Sequence, residues 1–551
     1  MKFRKQLLKM SVVSSMIIVS LVGCSNNSGA STEKSIKGDP IKVLENKNAR
    51  SAIALALDKQ LMCDSILNNG STAVNYLVAA DLAFDSRGKD YREFAGNMGY
   101  EHNDEEANKA WDKAKAELGF DVVELDFLTG EGDNSKRQAE FIQAELQSSL
   151  PGLTVNIKQQ PMKQRFDSEE KGDYHFTYSN WNPDYPDPLT FLETMQTGIM
   201  YGLTSGYSNV EYDKLVNEGK NSTDPIKSWE NYAKAEKIML DDAFLIPLSQ
   251  TANAYLEKDY VKGRVLYPYG SPAGYNCVEL DEGRTALNLS SIADIPTLDV
   301  SKAGDTVSSE VLTNIMEGLT RVDKDGKVIP GMAESWEKSE DGKTWTFNIR
   351  KDAKWSNGDK VTAKDFEFSW KRTLNPETAS GYAFIMYDIV GAKEYNLGEK
   401  SNQDELGIKV IDDYTLEVNL VRPVHYFDSL MFFKTFLPQN QKVVEQFGSE
   451  YGTSKDAMVY NGPFTMTEWK FEDVYIMSKN NNYWAKDTVK IENVNTKIVK
   501  DSNAALNLYE TGEIDVVGLT SENVDRYKDS PEFKTSKKAG TTFLQINGGN
   551  H

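Results

Sequence analysis

The stretch that decides the fold runs from residue 333 to residue 372, AESWEKSEDGKTWTFNIRKDAKWSNGDKVTAKDFEFSWKR. Asp341-Gly342 predicts a tight turn between two strands. After it, apolar residues occupy every second position from Trp345 to Ile349, as they do in a strand with one buried face. Thr362, followed three positions later by Asp365, is typical of the residue that caps the start of a helix. The stretch therefore predicts a two-stranded unit that leads into a helix.

Toward the N-terminus, the pattern alternates between helices and strands. A helix is predicted over 48–67, because small and apolar residues recur there at helical spacing. Apolar residues alternate in 123–127 and again in 153–157, which predicts two strands, and residues 136–147 predict a helix between them. Strands separated by helices indicate an α/β layer arrangement. A second large unit begins near residue 287.

The composition is that of a globular chain with two or three domains. The 551 residues are 39% hydrophobic and 26% charged, and a chain of this length can bury several cores. Lys and Arg number 62 against 83 Asp and Glu, for a net charge of −21. This balance argues against a nucleic-acid partner, because phosphate binding needs a basic surface.

The N-terminus has the pattern of a secretion signal. Basic residues at positions 2, 4, 5 and 9 precede a short apolar run that ends at Gly23-Cys24. A small residue before a cysteine is the pattern of a lipoprotein signal, so we expect residues 1–23 to be removed and Cys24 to be lipidated. A plain secretory signal and an uncleaved anchor are the alternatives. Residues 24–41 predict a polar tether, and no other stretch approaches the roughly 20 apolar residues of a membrane span.

Signals for catalysis or metal binding are weak. The four histidines are scattered without the spacing of a metal-binding pair, and no nucleophile motif is present. Cys63 falls within a predicted helix and is expected to be buried, whereas Cys277 falls in a loop-like segment. A bridge between the two cysteines has no support in the sequence. We therefore expect no catalytic residue, no cofactor and no metal ion.

Residues 333–372 resemble the signature region of the extracellular solute-binding proteins of family 5, which serve oligopeptide ABC importers. The resemblance extends over nearly all of the chain beyond the tether. Its further segments are KNARSAIALALDKQ (47–60), SNWNPDYPDPLTF (179–191), YNGPFTMTEW (460–469), NNNYWAK (480–486) and LYETGEIDVV (508–517). It implies an α/β, two-lobed periplasmic-binding-protein-like fold of type II, the large peptide-binding class, with the ligand enclosed between the lobes.

The matching segments stand in a circularly permuted order relative to the family. Residues 287–551 resemble the family's N-terminal part, and residues 47–248 resemble its C-terminal part. The resemblance implies a C-terminal-type lobe over 42–249 and an N-terminal-type lobe over 250–551, which includes an extra β-rich subdomain. Permutation is tolerated when the original termini lie close together, so we expect the family's fold with a looser hinge. The order can be natural, engineered or the result of an assembly error.

The strongest candidate site is the segment NWNPDYPDP at 180–188. A carboxylate can neutralise the buried α-ammonium of a peptide through a charge-assisted hydrogen bond, and the resemblance assigns this role to Asp184. Residues 180–182 would pair with the ligand backbone. On the residues alone, a proline-rich loop whose acids form turns is the alternative. The expected peptide-binding residues are Asn180, Trp181, Asn182, Asp184, Tyr185, Asn461, Gly462 and Asn547, and Asp305 is expected to cap a helix.

The resemblance implies a receptor held by lipid on the outer face of the cytoplasmic membrane, in a Gram-positive cell. It would bind oligopeptides and deliver them to the permease subunits of an ABC importer. Closure of two lobes around a ligand makes and breaks no bond, so we expect a binding protein and not an enzyme. We expect a monomer. The alternatives are a secreted peptidase or other hydrolase, and a permuted surface lipoprotein that binds no peptide.

Overall fold

The computed structural model describes residues 35–131, 133–281 and 283–549. The predicted signal over 1–23 and the predicted lipidation site Cys24 lie outside the described residues, together with part of the predicted tether. Within the described ranges, no helix combines the length and the apolar character that a membrane crossing requires.

Strands and helices alternate along the described chain, as the α/β pattern predicted. The strands are β1 (Thr72–Ala73), β2 (Val123–Gly130), β3 (Leu153–Gln160), β4 (Phe176–Trp181), β5 (Leu245–Glu257), β6 (Val261–Lys262), β7 (Val265–Leu266), β8 (Ala273–Gly274), β9 (Glu279–Leu280), β10 (Ala286–Ser291), β11 (Thr320–Val322), β12 (Val328–Pro330), β13 (Ala333–Lys338), β14 (Thr344–Ile349), β15 (Ile408–Asp412), β16 (Thr415–Asn419), β17 (Phe464–Lys470), β18 (Val474–Lys479), β19 (Asn493–Ile498), β20 (Val516–Gly518) and β21 (Phe533–Ile546).

The α-helices range from single turns to helices of 15 or more residues. They are α1 (Pro40–Glu45), α2 (Lys47–Leu55), α3 (Lys59–Met62), α4 (Tyr91–Ala95), α5 (Asp104–Leu118), α6 (Asp133–Ser149), α7 (Met162–Glu170), α8 (Leu189–Leu192), α9 (Met200–Ser205), α10 (Val210–Lys220), α11 (Pro225–Asp242), α12 (Thr306–Ile315), α13 (Ala363–Leu374), α14 (Ala392–Asn396), α15 (Phe427–Leu430), α16 (Gln441–Phe447), α17 (Ser502–Glu510) and α18 (Ser521–Tyr527).

The first five strands of the chain, together with β20 and β21, form a seven-stranded sheet. Its order is β1-β5-β21-β4-β2-β3, with β20 beside the outer end of β5. Strands β2, β3 and β4 run parallel, and α6 connects β2 to β3. The two strands and the helix predicted between residues 123 and 157 are therefore confirmed. Val123, Leu125 and Phe127 are fully buried, as a period of two requires for the face that packs on the core.

Two long antiparallel strands, β5 and β21, connect this sheet to the rest of the molecule. Their ladder has two parts within the sheet, which are separated by a shift of register between Lys537 and Thr541. Residues 541–546 also pair with β4, so the end of β21 lies inside the sheet formed by residues 72–257. The last strand of the expected 250–551 lobe therefore lies in a sheet built mainly from residues of the expected 42–249 lobe. The extents of the two lobes stay a prediction.

The hairpin and helix predicted from residues 333–372 are confirmed. Strands β13 and β14 pair antiparallel within a four-stranded sheet of order β13-β14-β16-β15. Gly342 has φ of 69°, a left-handed turn conformation that glycine adopts without a steric penalty. Helix α13 follows Thr362, whose backbone N–H donates to the Asp365 carboxylate at 2.7 Å. A second four-stranded sheet, of order β10-β19-β18-β17, packs in the same part of the chain.

The prediction of one helix over 48–67 is wrong. Three residues separate α2 from α3, and a π-helical turn follows α3. Asp58 explains the break, because its carboxylate accepts the backbone N–H of Leu61 at 2.8 Å and so caps a new helix. Cys63 lies in the π-helical turn and is buried as expected, whereas Cys277 is exposed in a turn, and both are free thiols.

A buried ion pair holds α4 against α11. Both Nη atoms of Arg92 donate to the Glu236 carboxylate, at 2.9 and 2.7 Å. The same carboxylate accepts the backbone N–H groups of Leu77 and Val78. A buried charge is tolerated when it is paired and its remaining lone pairs are used, and this carboxylate meets both conditions.

Candidate ligand-binding cavity

The candidate site begins where β4 ends. This strand pairs with β21 as far as Trp181, which lies opposite Thr541. Prolines at positions 183, 186 and 188 cannot donate a backbone hydrogen bond, so the chain leaves the sheet as a loop. Residues 180–184 of this segment line a cavity of about 250 Å³. The sheet therefore fixes one wall of the cavity, and the prolines shape the loop that completes it.

The opposite wall comes from the later part of the chain. It consists of the loop 267–272, the start of α12 and the separate residues Tyr382, Lys434 and Lys538. Asp305 caps α12, because its carboxylate accepts the backbone N–H of Ser308 at 2.8 Å, and this prediction is confirmed. The cavity thus lies between two regions that are distant in sequence, and both regions bring charged groups to it.

Asp184 brings a carboxyl group to the wall formed by the loop after β4. Its backbone N–H donates to Thr190 Oγ1 at 3.2 Å, which holds the loop in place. Burial raises the pKa of the Asp184 carboxyl to about 7, while the Lys434 ammonium lowers it and the Glu193 carboxylate adds to the rise. Such a carboxylate favours a cationic ligand group, because a charge-assisted hydrogen bond would offset its loss of hydration.

Trp181 offers a second ligand contact. Its Nε1 atom is buried and finds no hydrogen-bond partner in the part of the chain that the structure describes. The Tyr201 ring packs edge-to-face against the indole with the ring centres 6.0 Å apart. An unpaired buried N–H costs about 1–3 kcal/mol, so an acceptor on a ligand would be favourable here. Asn180 and Asn182, on either side of Trp181, are exposed.

Two larger cavities adjoin this one through shared wall residues. The first, of about 410 Å³, shares Tyr267 with it, and the second, of about 480 Å³, shares Pro272 and Lys538. The three spaces together extend well beyond the surroundings of Asp184. The arrangement suits an extended ligand better than a compact one.

Tyr185 does not line the cavity, although the sequence placed it among the expected ligand contacts. Its side chain is only 4% exposed. The ring stacks on Tyr426 with the ring centres 4.2 Å apart, and the hydroxyl donates to Glu193 Oε1 at 2.5 Å. Tyr185 therefore packs the loop after β4 onto the later part of the chain.

Asn461, Gly462 and Asn547 also lie away from the cavity. The Asn461 side chain exchanges two hydrogen bonds with the backbone of Glu317, at 2.8 and 3.0 Å. A Cβ atom on Gly462 would lie 2.5 Å from backbone atoms of Ile315 and Met316, so glycine is required by close packing. Asn547 Nδ2 donates to the Tyr174 carbonyl at 2.7 Å. These contacts join neighbouring loops and strands.

Sequence reasoning missed the loop 267–272 and the cavity residues Tyr382, Lys434 and Lys538. Lys434 begins a 3-10 helix and Tyr382 lies in a turn, and no local pattern marks either residue. The capping pattern identified Asp305 from the sequence, and the structure places Asp305 on the cavity wall. Across the three described ranges, no group of three or more His, Cys, Asp or Glu side chains is arranged to hold a metal ion.

The chain matches one protein family and is similar to several known binding proteins. Residues 22–200 and 327–551 match the family described as "Bacterial extracellular solute-binding proteins, family 5 Middle". The dipeptide-binding protein DppE of Bacillus subtilis is 42% identical over 243 residues, which are 44% of this chain and 44% of that protein. The oligopeptide-binding protein OppA of Bacillus subtilis is 38% identical over 271 residues, which are 48% of this chain and 50% of that protein.

Among solved structures, the substrate-binding domain of an oligopeptide ABC transporter from Bacillus anthracis is 49% identical, with a TM-score of 0.45 over 45% of this chain and 48% of that one. The chain thus spans about half the length of the curated relatives that it matches. The family match covers well over half of the chain, and it confirms the resemblance seen in the motifs. This chain belongs to the bacterial extracellular solute-binding proteins of family 5.

Proposed function

We propose that this chain is an extracellular receptor that binds oligopeptides and holds their free α-amine against Asp184. The family is one of solute-binding proteins, so the chain is a binding protein and not an enzyme. The observation that carries the proposal is a carboxyl group on the wall of a cavity between two parts of the chain, with burial opposing its charge. A peptide ammonium would stabilise that charge and fill the space beside it.

Three further features support a peptide as the ligand. The unpaired Nε1 of Trp181 would donate to a ligand carbonyl, three residues before Asp184. The extended residues 180–182 would pair with the ligand backbone, which gives affinity without reading side chains. The adjoining cavities provide room for residues beyond the first. Relatives named for dipeptide binding and for oligopeptide binding are consistent with such a site.

The location and the transport role are also proposals. Extracellular family members act outside the cytoplasm, and the N-terminal pattern favours a lipid anchor at Cys24 on the outer face of the cytoplasmic membrane of a Gram-positive cell. From there the receptor would pass its peptide to the permease subunits of an ABC importer. It would act as a monomer that closes its lobes, 42–249 and 250–551, around the ligand.

We also propose that the chain is a circular permutation of the family's usual order. Each curated relative described above aligns with about half of the chain, as expected when one continuous alignment cannot cover both parts of a permuted sequence. In addition, Gly549 lies against Ile41, since a Cβ atom on Gly549 would be 2.3 Å from Ile41 Cγ2. A short connection could therefore join these two positions, as in an unpermuted protein.

The decisive experiment combines recovery of natural ligands with a titration. Peptides that co-purify with the protein would be released by denaturation and identified by mass spectrometry. A tetrapeptide with a free amine and its N-acetylated form would then be titrated into ligand-free protein. The free-amine peptide should raise the Tm, and the stabilisation should grow with the logarithm of its concentration relative to Kd, whereas the acetylated peptide should have little effect.

The alternatives predict different results. A peptidase would return shortened peptides after incubation. A surface lipoprotein without binding activity would unfold at the same temperature with and without peptide. Equal stabilisation by the free-amine and the acetylated peptide would contradict the assignment of the α-amine to Asp184.

A further inference from the structure

Lys434 is a buried lysine on the cavity wall with aromatic near neighbours. Its side chain is only 5% exposed. The Nζ atom lies 4.1 Å from the centre of the Tyr382 ring and 4.2 Å from the centre of the Phe433 ring. Within the described ranges it forms no ion pair at 4.0 Å or less with a carboxylate. The ammonium is therefore held by cation–π contacts and by charges farther away.

The most important of those charges is Asp184. Burial lowers the pKa of the Lys434 ammonium to about 8, while Asp184 and then Asp305 act to raise it. Asp305 also has another partner, because it accepts the backbone N–H of Ser308 at the start of α12. Asp184 is therefore the main charge that stabilises the Lys434 ammonium.

A bound peptide amine would change this balance. Once Asp184 is paired with the ligand ammonium, Lys434 faces a second positive charge in a confined space from which water has been displaced. Like charges at short range repel more strongly in such surroundings than in water. A new negative group close to the ligand amine would restore the balance, and a carboxylate on the first side chain of the peptide is a suitable source.

We propose that Lys434 makes the receptor selective for peptides whose first residue is acidic. The first side chain branches from the carbon that carries the α-amine, so its carboxylate would lie in the same cavity that Asp184 and Lys434 both line. This inference rests on the proposed function, because it requires the α-amine to bind Asp184. It adds a side-chain preference to a site whose other expected contacts are with the ligand backbone.

Lys538, the second lysine on the cavity wall, provides a matched control. Its main opposite charge is Glu310 and not Asp184. With the Asn253 amide turned so that its oxygen faces the lysine, that oxygen lies 3.2 Å from Lys538 Nζ. Lys538 therefore has partners that a peptide amine at Asp184 would leave in place, and removing its charge should not alter a preference at the first residue.

The test uses isothermal titration calorimetry at pH 7 with four tetrapeptides that keep a free amine. They are Glu-Ala-Ala-Ala, Gln-Ala-Ala-Ala, Ala-Ala-Glu-Ala and Ala-Ala-Gln-Ala. We expect the Glu-first peptide to bind about tenfold more tightly than the Gln-first peptide, as befits a charge-assisted contact. The two peptides that differ at the third residue should bind equally. This second pair separates a local contact from the effect of net peptide charge.

Variants then assign the preference to one residue. Lys434→Met should abolish it, whereas Lys434→Arg and Lys538→Met should retain it. Equal affinity for the Glu-first and Gln-first peptides in the unmodified protein would overturn the inference, and so would a preference that survives in Lys434→Met. The comparison of peptides on the unmodified protein remains decisive if the Met variant does not fold.

The result also distinguishes this inference from the proposed function. If Gln-Ala-Ala-Ala binds and its N-acetylated form does not, the assignment of the α-amine to Asp184 is supported. The affinity of the Glu-first peptide then decides the role of Lys434 alone. If no peptide with a free amine binds, the proposed function and the selectivity built on it are both overturned.

Discussion

Replacing Asp184 with Asn should weaken peptide binding severely without unfolding the protein. Asn has nearly the same shape as Asp, and burial already disfavours the charge of this carboxyl, so the fold should tolerate the change. The ligand ammonium would lose its charge-assisted hydrogen bond and would stay buried without a counter-charge. Truncating one partner of a buried hydrogen-bonded charge pair costs about 2–5 kcal/mol. A loss of about 3 kcal/mol corresponds to a rise in Kd of about 150-fold.

The pH dependence of binding follows from the same residue. Burial raises the pKa of Asp184 to about 7, whereas a bound ammonium requires the ionised form. Below pH 7 the carboxyl must therefore release a proton when a peptide binds, and affinity falls as the pH falls. Between pH 7 and pH 5 the ionised fraction drops from about one half to about one hundredth, so Kd should rise by about fiftyfold. Lys434, with a pKa lowered to about 8, stays mostly protonated across this interval.

Calorimetric titration of a free-amine tetrapeptide at pH 5, 6, 7 and 8 measures both effects. Asp187→Asn is the matched control, because burial raises the pKa of Asp187 to about 7 as well, yet Asp187 does not line the cavity. The control should keep the affinity and the pH dependence of the unmodified protein, and Asp184→Asn should lose both. A flat pH profile in the unmodified protein, or equal losses in the two variants, would refute the reasoning.

Three further predictions concern one cavity residue and two structural ones. Trp181→Phe should raise the Kd of a free-amine peptide about five- to tenfold, since it removes one indole donor worth about 1 kcal/mol, and an unchanged Kd would contradict a contact with the ligand. Gly462→Ala should lower the free energy of unfolding by about 1–3 kcal/mol in urea titrations, because the new Cβ atom would clash with the backbone of Ile315, whereas an unaltered midpoint would show that this packing can relax. Arg92→Met should destabilise the fold by about 3–5 kcal/mol because it leaves the Glu236 carboxylate buried without its cation, and a loss below 1 kcal/mol would show that the pair is dispensable.

The sequence predicted the elements whose local patterns are strong. The turn at Gly342, the alternating residues of β14 and the cap at Thr362 all act within a few residues, so their outcome does not depend on the rest of the chain. The region 48–67 shows the limit of this reasoning. Its helical spacing is real, but Asp58 competes by capping a new helix, and spacing alone does not reveal which effect prevails.

The site was predictable only on the side that carries a motif. Asn180 and Trp181 end one strand, Asn182 and Asp184 follow it directly, and all four line the cavity. Asn461 and Asn547 have the same polar character, yet their amides bond to the backbone of neighbouring segments inside the protein. Lys434 reaches the cavity only because two distant parts of the chain meet there, and such a meeting leaves no trace in local spacing.

The central claim is that a peptide binds in the cavity with its amine at Asp184. A crystal structure of the protein with a bound tetrapeptide tests it most directly. The account predicts the ligand nitrogen about 2.7–2.9 Å from an Asp184 carboxylate oxygen, the distance of a charge-assisted hydrogen bond, and a ligand carbonyl at Trp181 Nε1. A peptide that lies in either adjoining cavity, or that has its amine in solvent, would contradict the account.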